Sequence, residues 1–196
     1  LIRNMGQFIY KAWIQGDYYV NFADASALNQ PEAGLVYRFG VKIQDPAMMG
    51  FGAFLAQRQY HGREHEDPDD GSLIRVLPDL LVMNEMAATK PAEPFVFDFW
   101  LPGLQVMGAR SHMDSNRGFY VAAKGGHNDE SHNHNDVGNF ILYADGLPVL
   151  IDVGVETYSR KTFGADRYTI WTMQSPYHNV PTVGDVPQAQ GRAFGA

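Results

Sequence analysis

Three of the seven histidines fall within Gly125-Gly126-His127-Asn128-Asp129-Glu130-Ser131-His132-Asn133-His134-Asn135-Asp136. If the chain is extended there, the two-residue side-chain period puts His132, His134 and Asp136 on one side and Asn133 and Asn135 on the other. Imidazoles and a carboxylate converging in this way suit a metal or a proton-transfer site. A divalent metal such as zinc is commonly held by three protein ligands drawn from neutral imidazoles and carboxylates, with one position left to water or substrate. His134, Asp152 and His178 offer such a set. His134 precedes a β-hairpin, Asp152 ends its second strand, and His178 lies in Ser175-Pro176-Tyr177-His178-Asn179 on a later segment, so sheet neighbours could bring the three together. Each also has a plainer role. A loop rich in Asn, Asp and His is a common solvated turn, Asp152 is a hairpin-end residue, and His178 taken alone is a satisfied, half-buried histidine.

Other chemistries lack their signatures. The chain has no cysteine, which removes disulfides, thiolate zinc sites and cysteine nucleophiles together. It has no Gly-x-x-x-x-Gly-Lys-Ser/Thr phosphate loop, no Gly-x-Ser-x-Gly elbow and no His-Glu-x-x-His helix. His61-Gly62-Arg63-Glu64-His65 spaces two histidines four apart, but Gly62 and the acidic residues after it describe an exposed loop rather than a zinc helix. With 15 Lys and Arg against 22 Asp and Glu, the formal net charge of -7 argues against nucleic acid or anionic lipid as a partner. No apolar run approaches the roughly 20 residues a membrane helix needs.

The elements that must position these residues change character near residue 90. At 196 residues and 45% hydrophobic, the chain can build a sizeable core without covalent staples. Apolar residues first recur at helical spacing: Ile2, Met5, Ile9 and Trp13, then Leu35, Phe39 and Ile43, then Phe51 and Leu55. Pro31 opens the second of these segments. Asp45-Pro46 supplies an N-cap and a first-turn proline ahead of the third. Asp17 to Ala23 reads as an extended aromatic connector, Tyr60 to Gly71 as an exposed loop, and Ser72 to Ala88 as a further helix that Pro78 should kink or restart. After Lys90-Pro91-Ala92-Glu93-Pro94 the pattern predicts short strands over Phe95 to Trp100, Gln105 to Arg110 and Gly118 to Ala123. The clearest hairpin is Phe140-Ile141-Leu142-Tyr143, an Asp145-Gly146 turn, and Val149-Leu150-Ile151-Asp152. The expected class is α+β, helices first and antiparallel strands after. Abrupt ends without a leader pattern, and helices too few to close a domain, suggest a piece of a longer chain.

Gly125-Gly126, His132-x-His134-x-Asp136-x-Gly138-x-Phe140, Leu142-Tyr143, Gly146, Pro148-Val149-Leu150, Asp152-x-Gly154 and Tyr158 together resemble the heparinase II/III-like polysaccharide lyases, a group similar also to alginate and oligoalginate lyases. The likeness is densest over about residues 117 to 180. Asn21-Phe22-Ala23-Asp24 and the Gly50-Phe51-Gly52-Ala53 helix resemble the closing helices of that family's α/α toroid. The resemblance implies an incomplete toroid over residues 1–90 and the first part of a β-sandwich over 91–196, with the active site in the cleft between such layers. It implies that His132 faces the substrate, that Tyr158 is a cleft tyrosine assisting catalysis, and that His134, Asp152 and His178 bind a chiefly structural zinc. It also implies β-elimination on an acidic, uronic-acid-containing polysaccharide of heparin, heparan sulfate or alginate type, in a bacterial periplasmic or secreted setting. The main base tyrosine, with an asparagine or histidine partner, would sit on toroid helices preceding Leu1, so these residues alone would have little activity.

Such a lyase must neutralise the C6 carboxylate, remove the C5 proton and protonate the departing glycosidic oxygen. Arg160, Lys161 and Arg167 are candidate cations for the first task, although solvated surface charge is their simpler reading. Trp171 and Tyr168 could stack on sugar rings, with sandwich packing the simpler reading. Two rival functions stand beside the lyase. A cupin-like metalloenzyme shares the opening Gly126 and His132-x-His134, but Gly138 and Asn139 stand where its glutamate belongs. A non-catalytic carbohydrate-binding β-sandwich with a structural metal fits the same residues.

Overall fold

The structure, a computed structural model, describes residues 2–61, 73–191 and 193. The chain divides into two compact units, Leu1–Lys11 with Gln30–Pro94, and Ala12–Asn29 with Phe95–Ala196. In sequence order, helices come first and a five-stranded antiparallel sheet follows, as the α+β reading expects. No described helix is long and apolar enough to cross a membrane. The His61 to His65 reading falls, from residue 62 on, outside the described residues.

The first unit holds α1 (Ile2–Lys11), α2 (Ala33–Ile43), α3 (Pro46–His61) and α4 (Leu73–Ala88). Gln44, at φ 54°, ends α2 in the left-handed conformation common at helix C-termini. Asp45 then caps α3, its Oδ1 accepting from the Met48 amide at 3.1 Å with Pro46 opening the helix. The cap expected from Asp45-Pro46 is therefore present. α4 runs through Pro78 without restarting. The α2–α3 packing depends on Gly52, where a Cβ would lie 2.8 Å from the Tyr37 backbone. Gly52→Ala is accordingly expected to lower the melting temperature, even though alanine is the better helix former by about 1 kcal/mol. A variant melting at or above the wild-type temperature would show that the two helices part freely.

The second unit begins with a small antiparallel pair, β1 (Trp13–Gln15) and β2 (Tyr18–Tyr19). Its main sheet is a meander in the order β3 (Asp98–Leu101), β4 (Val106–Arg110), β5 (Phe119–Lys124), β6 (Phe140–Ala144) and β7 (Leu147–Leu150). Asp145 and Gly146 both take positive φ, 49° and 78°, as a two-residue hairpin turn requires. Register puts Phe99, Gly108, Ala122 and Ile141 in one row and Arg110, Tyr120 and Tyr143 in the next. Nearly all of these side chains are buried, so this face is the core.

Two local expectations fail in the Ala12–Asn29 stretch. Trp13 does not continue the first helix, and Asn21 to Asp24 form no helix. The reason is packing within the sheet unit. Trp13 and Ile14 are completely buried, and the buried Arg110 guanidinium donates through Nη2 to both of their carbonyls at 3.0 Å. Ala23, at φ 56°, then turns the chain and presents Asp24.

Candidate functional site

β5 ends at Lys124, and the polar loop that follows is closed at its base by two backbone bonds. The Lys124 amide donates to the Asn139 carbonyl at 2.9 Å, and the Gly138 amide donates to the Lys124 carbonyl at 2.8 Å. Asn128, Asn133, His134, Asn135, Asp136 and Asn139 are all buried in it. Amide side chains and backbone satisfy much of this polar interior, as burial demands. The Asn135 amide donates to Met173 O at 3.0 Å, and Asn133 Nδ2 donates to the Tyr168 hydroxyl at 3.0 Å. The extended conformation expected here is not adopted. His132 has φ 56°, which breaks the two-residue period, so His132 stays half exposed while Asn133, His134, Asn135 and Asp136 all turn inward.

Beneath the loop lies a group suited to a cation. One ligand atom from each of Asp136, Asp152 and His178 falls within 4.8 Å of the other two, and all three residues are buried. Asp152 lies just beyond β7 rather than within it, and His178 just beyond a 3-10 turn, Ser175–Tyr177. Asn139 Nδ2 donates to Asp152 Oδ2, and Asp152 Oδ2 is 2.9 Å from His178 Nδ1. His178 Nε2 is 3.0 Å from the Thr172 carbonyl, so both of its ring nitrogens face acceptors, Thr172 at Nε2 and Asp152 at Nδ1. His134 has an acceptor at Nε2 alone. Its Nε2 lies 2.9 Å from Asp24 Oδ1, its Nδ1 is buried with no hydrogen-bond partner, and its ring centroid is 5.3 Å from that of His178. Burial, only partly offset by Asp24, holds the His134 imidazole below the usual histidine range and therefore neutral. Asp136 Oδ2 is a second buried atom with no partner. Orphaned polar atoms of this kind call for a missing partner, and neutral imidazoles with carboxylates are donors that suit zinc. These residues fit a metal.

A second cluster gathers on Asp24. Its Oδ2 is 2.8 Å from His132 Nδ1 and accepts from the Tyr158 hydroxyl at 2.9 Å. Its Oδ1 accepts from Arg167 Nη2 at 3.0 Å as well as from His134. Burial alone would raise the Asp24 pKa. The hydrogen bonds from His132, His134 and Tyr158 and the charge of Arg167 outweigh it and hold the carboxyl below its ordinary value. The hydrogen bond to Asp24 pushes the Tyr158 phenol above its ordinary range. Phe163 packs edge-on against both rings, at 5.8 Å from His132 and 5.1 Å from Tyr158. A cavity of about 340 Å³ opens beside His132, bordered by Asn133, Phe163, Arg167, Tyr168 and Gln190.

The five residues singled out in the sequence thus fall into two neighbouring sets. Asp152 and His178 meet directly with His134 alongside, while His132 and Tyr158 meet at the surface. Arg167 is neither a solvated charge nor a free cation. It is buried, donating also to the carbonyls of Asn133 at 2.9 Å and Thr162 at 2.7 Å. Arg160 and Lys161 are exposed. Trp171 packs edge-on against Tyr177 at 5.2 Å. Sequence reasoning missed Asp24 as a site residue because it lies 108 positions from His132, where no spacing rule reaches. The His132-x-His134-x-Asp136 spacing did flag Asp136, but not as a third member of the buried group.

No curated protein gives a significant match to the chain. Residues 102–195 match the family model described as Heparinase II/III-like, C-terminal, and this stretch contains the sheet from β4 onward, the polar loop, and every residue of both clusters except Asp24. Residues 102–195 are therefore similar to the C-terminal domain of heparinase II/III-like proteins.

Proposed function

We propose that this chain is part of a lyase that cleaves a uronic-acid-containing polysaccharide, of heparin, heparan sulfate or alginate type, by β-elimination. The observation that carries this reading is the exposed His132–Tyr158 pair, held on one carboxylate beside a cavity in a domain similar to that of heparinase II/III-like proteins. His132 Nδ1 faces an ionised carboxylate, which only accepts, so Nδ1 carries the proton and Nε2 remains free to take or return one. Tyr158, with its pKa raised, keeps its proton. It therefore suits donation to the departing glycosidic oxygen rather than abstraction at C5. The principal base and its partner belong, in this reading, to a toroid of which residues 1–90 supply the last helices, while residues 91–196 begin a β-sandwich. A secreted or periplasmic setting is part of the same proposal.

His134, Asp152 and His178, with Asp136 beside them, would hold zinc. Its contribution would be structural, cross-linking the polar loop, the end of the hairpin and the segment around His178. Protein purified without added zinc is expected to carry about one metal per chain. His134→Ala and Asp152→Asn should each abolish it. Well-folded protein with no metal would remove the ligand assignment. The lyase reading itself is tested by following formation of unsaturated uronate by ultraviolet absorbance across a panel of uronic-acid polysaccharides.

A further inference from the structure

Among the described residues Asp24 touches both clusters, and its two oxygens face different neighbours. Oδ1 meets His134 and Arg167, whereas Oδ2 meets His132 and Tyr158. The carboxylate is itself nearly buried, with 7% of its side chain exposed, and Arg167 balances its charge. We propose that Asp24 is a positioning residue for both sites at once, holding His134 with Nδ1 toward the metal and His132 with Nε2 toward the cavity. The metal half rests on the zinc reading above, whereas the His132 half rests on geometry alone.

The first half follows from tautomers. A carboxylate at Nε2 puts the proton there and leaves the buried, unpartnered Nδ1 as the ligand atom. The Thr172 carbonyl stands likewise at His178 Nε2, with Asp152 at its Nδ1. Each imidazole is thus fixed from outside by an acceptor. The second half follows in the same way, because the carboxylate at His132 Nδ1 leaves Nε2 as the outward acceptor. Asp24 comes from the Ala12–Asn29 stretch, so a segment remote in sequence sets the working atoms of both histidines in the polar loop.

Asp24→Asn separates this role from simple packing. Arg167 and His134 both donate, so the asparagine oxygen must face them and its NH2 must face His132 and Tyr158. The NH2 would donate to His132 Nδ1 and drive the imidazole to its Nε2-protonated tautomer. The experiment is a zinc titration against a chelating dye, with imidazole nitrogen NMR at about two pH units above the ordinary histidine pKa. It is run on wild type, Asp24→Ala and Asp24→Asn, with thermal unfolding as the check on folding. Asp24→Ala is expected to weaken zinc binding by about 10- to 100-fold. Asp24→Asn should bind zinc more nearly as wild type does and show the inverted His132 tautomer. If Asp24→Ala fails to fold, Asp24→Asn carries the test alone. Zinc affinity unchanged in a folded Asp24→Ala protein, or an unchanged His132 tautomer in Asp24→Asn, would overturn the positioning role. Wild type that binds no zinc would overturn the metal half together with the zinc reading, and the tautomer would then decide the His132 half separately.

Discussion

Lys124→Met should destabilise the sheet unit by about 3–5 kcal/mol, read as a shift of the denaturant midpoint. Lys124 stands at the end of β5 with 4% of its side chain exposed, and its ammonium lies 2.6 Å from Asp136 and 3.2 Å from Glu130. Methionine fills much the same volume but leaves the completely buried Asp136 carboxylate without its cation. Breaking a buried pair from one side is costly because the remaining charge keeps its desolvation penalty. Lys124→Met with Asp136→Leu should recover much of the loss, since both buried charges are then gone. A single variant within about 0.5 kcal/mol of wild type would show that the pair is dispensable.

The same pair makes the unit sensitive to alkali. Burial works to lower the Lys124 pKa, but Asp136 and Glu130 outweigh it and hold the ammonium above its ordinary range. A folded-state pKa above the unfolded one contributes stability that is complete below the unfolded value, about 10.4 for lysine, and is lost as pH rises through the folded value. Burial also raises the Tyr143 phenol to about 12, with the same sign. Wild-type stability should therefore decline above about pH 10, and Lys124→Met should flatten part of that decline. A wild-type curve level from neutrality through this range would contradict the account.

In the lyase proposed above, His132→Ala is expected to reduce kcat by about 10²- to 10⁴-fold, the usual contribution of a positioned acid or base, with KM changed far less. Folding and metal content should survive. His132 is half exposed, and among the described residues Asp24 links its ring to His134. Loss of metal with retained turnover would mean that His132 and His134 have exchanged roles. Equal loss of folding in His132→Ala and His134→Ala would mean that the loop needs both rings for structure alone.

Elements with local chemical signals were legible in the sequence. Asp45-Pro46 announced a capped helix, and Asp145-Gly146 announced the hairpin because few other residue pairs accept positive φ twice. The His132-x-His134-x-Asp136 spacing pointed to the right loop. Its conformation was not legible, because a left-handed histidine carries no mark in residue type. Lys124 lies one residue past the strand expected over Gly118 to Ala123, and nothing local shows that its partner returns from the loop to bury it. Arg167 illustrates the same limit, since a cation in a turn-rich stretch reads as surface charge until Asp24, 143 positions away, is seen beneath it. The site rests on long-range pairings that only the folded chain reveals.

The central claim is that His132 and Tyr158 serve a polysaccharide lyase. The most direct measurement is ultraviolet absorbance of unsaturated uronate when full-length, metal-loaded protein meets heparin, heparan sulfate, alginate and hyaluronan in turn. The account predicts steady product formation from at least one of these polymers, strongly reduced by His132→Ala. Folded, metal-loaded protein that binds a polymer yet forms no unsaturated product from any of them would contradict it.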